Sequence, residues 1–266
     1  MNRFLASRLT FVRFKSKPTK DSKKYVHGVL DDTFAVKKRL NMYKSRAAFK
    51  LEEIDQKFHI FSKDTRHIVD LGYAPGAWSQ YAVKRLNELG LKSVSERDKT
   101  IKKDKQFLIL GVDLNTQATP VKGCYYLTGN VMSQTTHLRV KDFFRRRGHF
   151  GGPIYDEDKE LDLVMSDMMV DCVGNSEADH LGNMELCEAA LYLAYEQLKP
   201  NRDIVLKVWS GSELSKFENK MKILFKNVYA FKPKASKDKS SELYFIGKKK
   251  FDIYEKGISI KDVFGS

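Results

Sequence analysis

Cysteine is scarce in this chain, which has three among 266 residues: Cys124, Cys172 and Cys187. No two of them form a C-x-x-C pair, so the sequence indicates neither a disulfide framework nor a zinc site. The six histidines show no H-E-x-x-H pattern and no H-x-E with downstream cysteines. We therefore predict that no catalytic metal is bound by the protein.

Long apolar runs are also missing. No stretch approaches the roughly 18 apolar residues that a membrane span needs, so we expect a soluble protein, and we take it to be a monomer. Hydrophobic residues still make up 42% of the chain, enough for a full core. The organisation that we predict is one main domain over residues 33–250, with an arm at 1–24 and a C-terminal tail at 251–266.

Acidic residues are in the minority, with 34 Asp and Glu against 48 Lys and Arg, a formal net charge of +14. Half of that excess lies in residues 1–24, which hold eight Lys or Arg and one Asp. The rest of the chain is therefore basic too. A basic surface favours phosphate-rich partners, and nucleic acid is the commonest, although many basic proteins are only solvated by their lysines.

The first 24 residues alternate arginines with phenylalanines and leucines, and their first acid is Asp21. This pattern resembles a mitochondrial presequence and predicts a mitochondrial location. The alternative is a basic arm that binds RNA directly. The apolar residues favour targeting, because a plain polycationic arm does not need them.

Apolar and β-branched runs alternate with helical segments along the rest of the chain. This alternation predicts an α/β fold with helices on both faces of a mostly parallel, seven-stranded sheet. Helices are expected over 33–58 and 183–198, and surface insertions over 92–105 and 145–160. The last two strands should form an antiparallel hairpin, because their connection has no room for a crossover helix. The predicted strands are 67–71, 106–113, 123–128, 161–166, 204–209, 228–232 and 242–248.

Residues 70–80 read Asp-Leu-Gly-Tyr-Ala-Pro-Gly-Ala-Trp-Ser-Gln, a buried strand that turns on two glycines into a helix. Gly72 and Gly76 allow a ligand to approach the backbone closely, so the turn is typical of a nucleotide-type cofactor pocket. The spacing is neither GxGxxG nor a P-loop. Considered alone, the turn is equally consistent with an ordinary connection between a strand and a helix that binds no ligand.

Polar residues stand where predicted strands end, the edge at which α/β sheets present their ligands. Asp113 can bridge two ribose hydroxyls of an adenosine, and Asn130 can meet an adenine amino group. Asp167 ends another strand, where its alternative role is a helix cap. Lys207 lies inside an apolar strand, which is costly for an unpaired charge and indicates function, unless the strand is an edge with a solvated lysine tip.

Five ordered blocks resemble the RrmJ/FtsJ family of S-adenosylmethionine-dependent RNA ribose 2′-O-methyltransferases. The resemblance implies a Rossmann-like methyltransferase fold, S-adenosyl-L-methionine as cofactor, and a catalytic tetrad of Lys50, Asp167, Lys207 and Glu242. It places cofactor contacts on Gly72, Pro75, Gly76, Ala77, Trp78, Asp113, Asn130 and Asp167. The blocks are Ser-Arg-Ala-Ala-Phe-Lys-Leu at 45–51, the turn at 70–80, Ser-Asp-Met at 166–168, Leu-Lys-Val-Trp-Ser-Gly at 206–211, and Lys-Pro-Lys-Ala-Ser at 232–236 leading to Ser-Glu-Leu-Tyr at 241–244.

Two blocks depart from the common pattern, since Met-Val follows Met168 where many members have Ala-Pro, and Gly-Asn stands at 129–130 where many have Gly-Asp. These variants and the closing Asp-Val-Phe at 262–264 are most similar to the fungal mitochondrial branch. That branch methylates a uridine of large-subunit ribosomal RNA. The partner implied is this RNA or its assembling ribosomal precursor.

The resemblance favours Lys207 as the proton acceptor, although an ammonium that stabilises the developing alkoxide is the other possibility. Three alternatives remain: an RNA-binding mitochondrial ribosome assembly factor with dispensable methyl transfer, a tRNA methyltransferase, or a cap 2′-O-methyltransferase. Small-molecule methylation is disfavoured by the basic residues 37–39 and Arg46 near Lys50, which suit phosphate contacts.

Overall fold

A computed structural model describes residues 43–94, 102, 105–147, 161–171, 174–237 and 240–265. The presequence-like arm, the basic residues 37–39, Cys172 and most of the second predicted insertion lie outside the described residues. In chain order the described elements are α1 (Ala47–Phe58), β1 (His67–Leu71), α2 (Ala77–Glu88), β2 (Lys92–Ser93), β3 (Gln106–Asp113), β4 (Tyr125–Thr128), α3 (Gln134–Arg147), β5 (Leu161–Ser166), α4 (Ser176–Gln197), β6 (Leu198–Trp209), α5 (Leu214–Leu224), β7 (Phe225–Phe231), β8 (Glu242–Lys250) and α6 (Ile260–Phe264).

The described strands form one mixed sheet in the order β2-β3-β1-β5-β6-β8-β7, with β4 also paired to β3. All pairs are parallel except β6 with β8 and β8 with β7, which are antiparallel. The predicted fold class is therefore confirmed, including the antiparallel C-terminal hairpin. Every residue of β1 is buried, as expected for a parallel strand that helices cover on both faces.

An eighth strand, β2, joins the seven that the sequence predicts. Lys92 pairs with Gln106 and Ser93 with Phe107, so the predicted surface insertion is wrong for its first two residues. A two-residue strand shows no alternation that a pattern could reveal. The buried hydroxyl of Ser93 is satisfied because it donates to the carbonyl oxygen of Gly123 at 2.7 Å.

Two helices start elsewhere than predicted. The structure begins α1 at Ala47, and residues 33–42 lie outside the described part. Helix α4 begins at Ser176, seven residues before its predicted start, because Asn175 caps it by accepting from the backbone N–H groups of Glu177 and Ala178. The first turns of α4 are polar and do not show the apolar periodicity on which the prediction depends.

The sheet separates two apolar clusters, and alternate residues of each strand enter different ones. In β3, Leu108 and Leu110 join the cluster beneath α3 and α4, whereas Phe107 and Ile109 join the cluster beneath α1 and α2. By the same alternation, Val205 of β6 belongs to the α1 side. Lys207, two residues later, therefore faces α1.

Residues 251–265, predicted as a tail, pack back onto the domain. Ile253 and Val263 are buried, and α6 has a capping box formed by Ser259 and Asp262. The buried Lys250 ammonium donates to the carbonyl oxygens of Tyr195 and Leu198 at 2.8 and 2.7 Å, and so caps the end of α4.

In the part of the chain that the structure describes, Cys124 and Cys187 are free and buried. No group of three or more His, Cys, Asp or Glu side chains there has a metal-binding arrangement. None of the described helices combines the length and the apolar character needed to cross a membrane.

Candidate active site

Lys50 and Glu242 form the first of two ion pairs at the candidate site. The buried Lys50, in the first turn of α1, places its Nζ 2.5 Å from Oε1 of Glu242 at the start of β8. Ser236 Oγ donates to the same oxygen at 2.7 Å. Burial raises the pKa of the Glu242 carboxyl, but the Lys50 ammonium, the Ser236 hydrogen bond and Lys207 outweigh it and hold this pKa below its usual value.

Lys207 and Asp167 form the second pair. Lys207 lies on β6 and is 5% exposed, and Asp167 directly follows the neighbouring strand β5. The Nζ of Lys207 donates to the main-chain carbonyl of Asp167 at 2.6 Å and lies 3.2 Å from its carboxylate Oδ1. A buried ammonium is tolerated here because it has both a dipolar and a charged partner.

Tyr244 connects the two pairs and was missed as a functional residue by the sequence analysis. It lies opposite Lys207 in the antiparallel pairing of β6 and β8, and two residues beyond Glu242 on the same strand face. Its hydroxyl donates to Asp167 Oδ1 at 2.9 Å, and Lys50 Nζ lies 5.9 Å from its ring centroid. Burial, together with Asp167 and Glu242, raises the pKa of Tyr244 well above its usual value.

The four residues of the predicted tetrad therefore lie together, around one buried tyrosine. Three of them come from the antiparallel pair β6 and β8 and from the end of β5, and the fourth comes from α1, which covers that face. The signal for Tyr244 was present in the sequence, since on a strand it shares its face with Glu242. Its partner Asp167 was not predictable, because that contact joins two different strands.

A cavity of about 590 Å³, here called the large cavity, opens beside Lys207 at the carboxyl ends of the parallel strands. Both oxygens of Asp113 already accept backbone N–H groups, from Ala74 at 2.8 Å and from Asn115 at 2.9 Å. An ionised carboxylate keeps further acceptor capacity. The predicted cofactor residues that line this cavity are Gly72, Asp113, Asn130 and Asp167.

Asn130 lines the large cavity in an Asx turn. Its Oδ1 accepts the backbone N–H of Met132 at 2.9 Å, so one lone pair of that oxygen is used. The second lone pair of this oxygen and the side-chain NH₂ group remain for hydrogen bonds to a ligand. Exposed apolar side chains of Leu114, Met132 and Met169 line the same cavity.

A second cavity of about 70 Å³, here called the small cavity, shares Gly72, Ala74 and Asp167 with the large one. Its wall includes three further predicted cofactor residues, Pro75, Ala77 and Trp78. The indole N–H of Trp78 donates to the carbonyl oxygen of Ala47, which joins the turn to the first turn of α1.

Gly76 lines neither cavity, and its contribution is to the shape of the turn. Its φ is +98°, in the region that favours glycine, and an added Cβ would lie 2.8 Å from Val121 Cγ2. Gly72 has a φ of +74° and would meet the backbone of Met168 below 3 Å. Both glycines are therefore required where the chain leaves β1.

Asp70 lies in β1 and on the wall of the small cavity, and only one of its two carboxyl oxygens accepts a hydrogen bond within the described residues. Its Oδ2 accepts from Ser79 Oγ at 2.7 Å, whereas Oδ1 is buried with no hydrogen-bond partner among the described residues. Burial raises the pKa of this carboxyl to about 7. A buried acceptor without a donor is rare, and here it suits a cationic N–H group placed in the small cavity.

Residues 43–250 match the family of FtsJ-like methyltransferases. A ribosomal RNA large subunit methyltransferase E from Jannaschia sp. is 35% identical over 225 residues, 85% of either chain. The mitochondrial rRNA methyltransferase 2 of Saccharomyces cerevisiae is 28% identical over an alignment that covers 91% of either chain.

A solved structure agrees. The crystal structure of a ribosomal RNA methyltransferase from Plasmodium falciparum superposes with a TM-score of 0.60 at 25% identity, covering 79% of this chain and 99% of that one. The matched range contains the whole described sheet and all four residues of the tetrad. The resemblance identified from the sequence blocks is thus confirmed, and the chain belongs to the FtsJ-like methyltransferase family.

Proposed function

We propose that this protein is an S-adenosylmethionine-dependent methyltransferase that modifies the ribose 2′-hydroxyl of a uridine in mitochondrial large-subunit ribosomal RNA. The observation that carries the proposal is the pair of buried ion pairs, Lys207 with Asp167 and Lys50 with Glu242, beside the large cavity. Two lysines and two carboxylates arranged in this way can move a proton and stabilise charge at one hydroxyl group.

The residues around the two cavities fit S-adenosylmethionine. Asp113 would hold the ribose hydroxyls and Asn130 the adenine, with Leu114 and Met132 as apolar walls. The Oδ1 of Asp70, which has no hydrogen-bond partner among the described residues, would accept from the ammonium of the methionine part. When bound, the cofactor supplies an electrophilic methyl group on a positively charged sulfur.

Activation of the acceptor hydroxyl falls to the chain's own residues. A ribose hydroxyl has a pKa roughly six units above neutral, so full deprotonation would cost about 8 kcal/mol at roughly 1.4 kcal/mol per unit. In the proposed mechanism the Lys207 ammonium first releases a proton to solvent, and the neutral amine so formed accepts the proton of the hydroxyl as the oxygen attacks. Asp167 then stabilises the ammonium that forms, through its carbonyl oxygen and its carboxylate.

Lys50 and Tyr244 keep this arrangement in place. The Lys50 ammonium adds positive charge near the developing oxyanion while Glu242 and Ser236 fix its position. Tyr244 donates to Asp167 and so limits the positions that the carboxylate can adopt beside Lys207. The tetrad then acts as one unit rather than as four separate groups.

The RNA substrate is inferred from relatives and charge. The bacterial and yeast relatives are named as ribosomal RNA methyltransferases, and this chain carries a net charge of +14. The yeast relative is named as mitochondrial, in agreement with the presequence-like arm at 1–24. Uridine is proposed on the resemblance to the mitochondrial branch.

The deciding experiment incubates the full chain and methyl-labelled cofactor with naked mitochondrial ribosomal RNA, assembled large-subunit precursors and short hairpins. Mapping the labelled ribose should give a single uridine in a loop, because an unpaired nucleotide is splayed into a pocket at lower cost than a duplex one. Exclusive labelling of transfer RNA or of a 5′ cap nucleotide would exclude the ribosomal assignment. In that outcome the methyltransferase assignment would stand.

A further inference from the structure

Three aromatic rings lie together on the edge of the sheet, apart from the cavities that the proposed cofactor fills. Phe58, at the end of α1, has its ring centroid 5.2 Å from that of Tyr229 and 5.5 Å from that of Phe231, both on β7. β7 is the last strand in the order of the described sheet, and Tyr229 is 44% exposed. We call these three residues the aromatic platform.

A cation sits on the platform. The Nζ of Lys57 lies 4.4 Å from the centroid of the Phe231 ring and 5.4 Å from that of Phe58. Phe58 and Phe231 are half-buried and pack against the core cluster on the α1 side, so Tyr229 is the ring of the platform that is open to solvent. A partly exposed aromatic surface that carries a cation complements a ligand with both flat apolar faces and negative charge. Unpaired nucleotides have this combination, because every base has a π-face and every linkage a phosphate.

The platform is continuous with the proposed active site. Phe231 pairs with Tyr244 in the antiparallel register of β7 and β8, and cross-strand partners share one face of a sheet. Tyr229 lies two residues further along the edge strand. The aromatic surface therefore begins one strand away from the tyrosine that contacts Asp167, at the strand spacing of about 4.8 Å.

The loop after β7 connects the two regions and is basic. Lys232, Lys234 and Lys237 are exposed along it. A cavity of about 260 Å³ lies at the start of this loop, and its lining includes Phe231, Lys232 and Glu242.

We infer that the aromatic platform binds an unpaired base of the substrate RNA close to the methylated nucleotide, with Lys57 and the basic loop holding the neighbouring phosphates. The inference rests on the proposed function, and it adds a subsite outside the cofactor cavities and the tetrad. A strand whose target ribose lies at Lys207 would continue along the edge strand and stack a base on Tyr229.

Binding of the full chain to a 12-residue oligouridylate tests this inference, compared with binding to an abasic ribose-phosphate oligomer of the same length. Tyr229→Ala should weaken oligouridylate binding about tenfold, within the range for losing one stacked base, and should leave the abasic oligomer unchanged. Tyr229→Phe keeps the ring and should bind within about twofold of the unsubstituted chain. Tyr254→Ala is the matched control, since Tyr254 is 72% exposed and lies after β8.

Lys57→Gln separates the charge from the stacking. It should lower the slope of log Kd against log salt by about 0.7, the value for one phosphate of a single strand. Crosslinking of the unsubstituted chain to a 4-thiouridine oligomer needs no variant, and adducts should map to the β7 peptide. Adducts that map only to other peptides would overturn the inference.

Methyl transfer to ribosomal RNA is measured with the same preparations, so that the two proposals fail separately. If the unsubstituted chain transfers methyl groups and Tyr229→Ala binds oligouridylate normally, the platform is wrong and the enzyme assignment stands. If Tyr229→Ala weakens oligouridylate binding selectively but no RNA is methylated, the platform stands and the proposed function fails. Equal weakening of both oligomers would also overturn the platform, because a base-stacking contact cannot affect an abasic chain.

Discussion

Glu53 and Lys50 lie one turn apart on α1, and both contact the segment that joins β7 to β8 and begins β8. Lys50 pairs with Glu242 of β8, and the carboxylate of Glu53 accepts the backbone N–H groups of Lys234 and Ala235 at 2.6 and 2.9 Å. The loop so held carries Ser236, which donates to Glu242. Helix α1 therefore positions Lys50 directly and, through Glu53, positions the loop whose Ser236 orients Glu242.

We expect Glu53→Ala to lower kcat about tenfold while the Kd for S-adenosylmethionine stays unchanged, since a small displacement of a reacting group is enough for such a loss. Glu53→Gln should recover part of the activity, because its amide oxygen can still accept one of the two N–H groups. Glu52→Ala, one residue away, is the control. Steady-state kinetics with calorimetric titration of the cofactor would show the split, and an equal loss in both Glu53 variants would contradict it.

Lys207→Ala should abolish methyl transfer with little change in cofactor binding, because the proposed role of this amine is in the transition state. Lys207→Arg should be inactive as well, since a guanidinium keeps its proton at any usable pH. Single-turnover rates measure both. A variant that retains more than about a tenth of the normal rate would remove Lys207 from the role of proton acceptor.

Asp70 predicts a pH dependence of cofactor affinity. Its pKa in the free protein is raised to about 7 by burial, and only the ionised form accepts from an ammonium group. Binding should therefore tighten as the pH rises from about 5.5 to 7.5 and the carboxyl loses its proton. Calorimetric titrations across this range test the sign, and Asp70→Asn should bind weakly at every pH. A flat profile in the unsubstituted chain would contradict the assignment.

Asp70 also links pH to stability. The folded pKa of about 7 is raised above the ordinary 3.8, so the folded state holds a proton that the unfolded state has already released between these values. The free energy of unfolding should thus fall as the pH rises from about 4 to 7 by this contribution. Asp70→Asn should remove this pH-dependent contribution. The melting temperature of the variant, relative to that of the unsubstituted chain, should therefore rise as the pH increases over the same range.

Asp113→Ala should weaken S-adenosylmethionine binding by about 1 to 3 kcal/mol, the range for losing a charged hydrogen-bonding partner. Asp113 also accepts the backbone N–H of Ala74, so the alanine variant removes a contact within the turn as well. Asp113→Asn keeps one acceptor oxygen for that N–H and serves as the comparison. Calorimetry gives both affinities, and an unchanged Kd would mean that the ribose is held elsewhere.

A reporter fused to residues 1–24 should enter mitochondria, because its arginines alternate with apolar residues and acids are nearly absent. Replacing the arginines by glutamine provides a matched control that should stay in the cytosol. Fluorescence microscopy with a mitochondrial marker distinguishes the outcomes. A diffuse reporter would favour the basic RNA-binding arm.

Much of this architecture could be predicted because it depends on short-range pattern. The apolar run at 106–113 and the glycine turn after Asp70 encode which residues are buried and where a strand stops, so seven of the eight described strands and the carboxyl ends of the longer parallel ones follow from local sequence. The starts of β6 and β7 do not, since they lie six and three residues before their predicted positions. Lys207 stood out for the same reason, as a charge in an apolar strand. Asp167 stood out as a carboxylate at the end of a strand, whereas Lys50 and Glu242 were identified only through the family blocks.

Tertiary structure alone decided which of these residues meet. Tyr244 reaches Asp167 because β8 inserts antiparallel between β6 and β7. Within the part of the chain that the structure describes, the packing around the turn leaves Oδ1 of Asp70 without a hydrogen-bond partner. The aromatic platform arises because the end of α1 lies on the edge strand. Such contacts join segments far apart in the chain, and a local pattern specifies the face and the end of each element but not its neighbour.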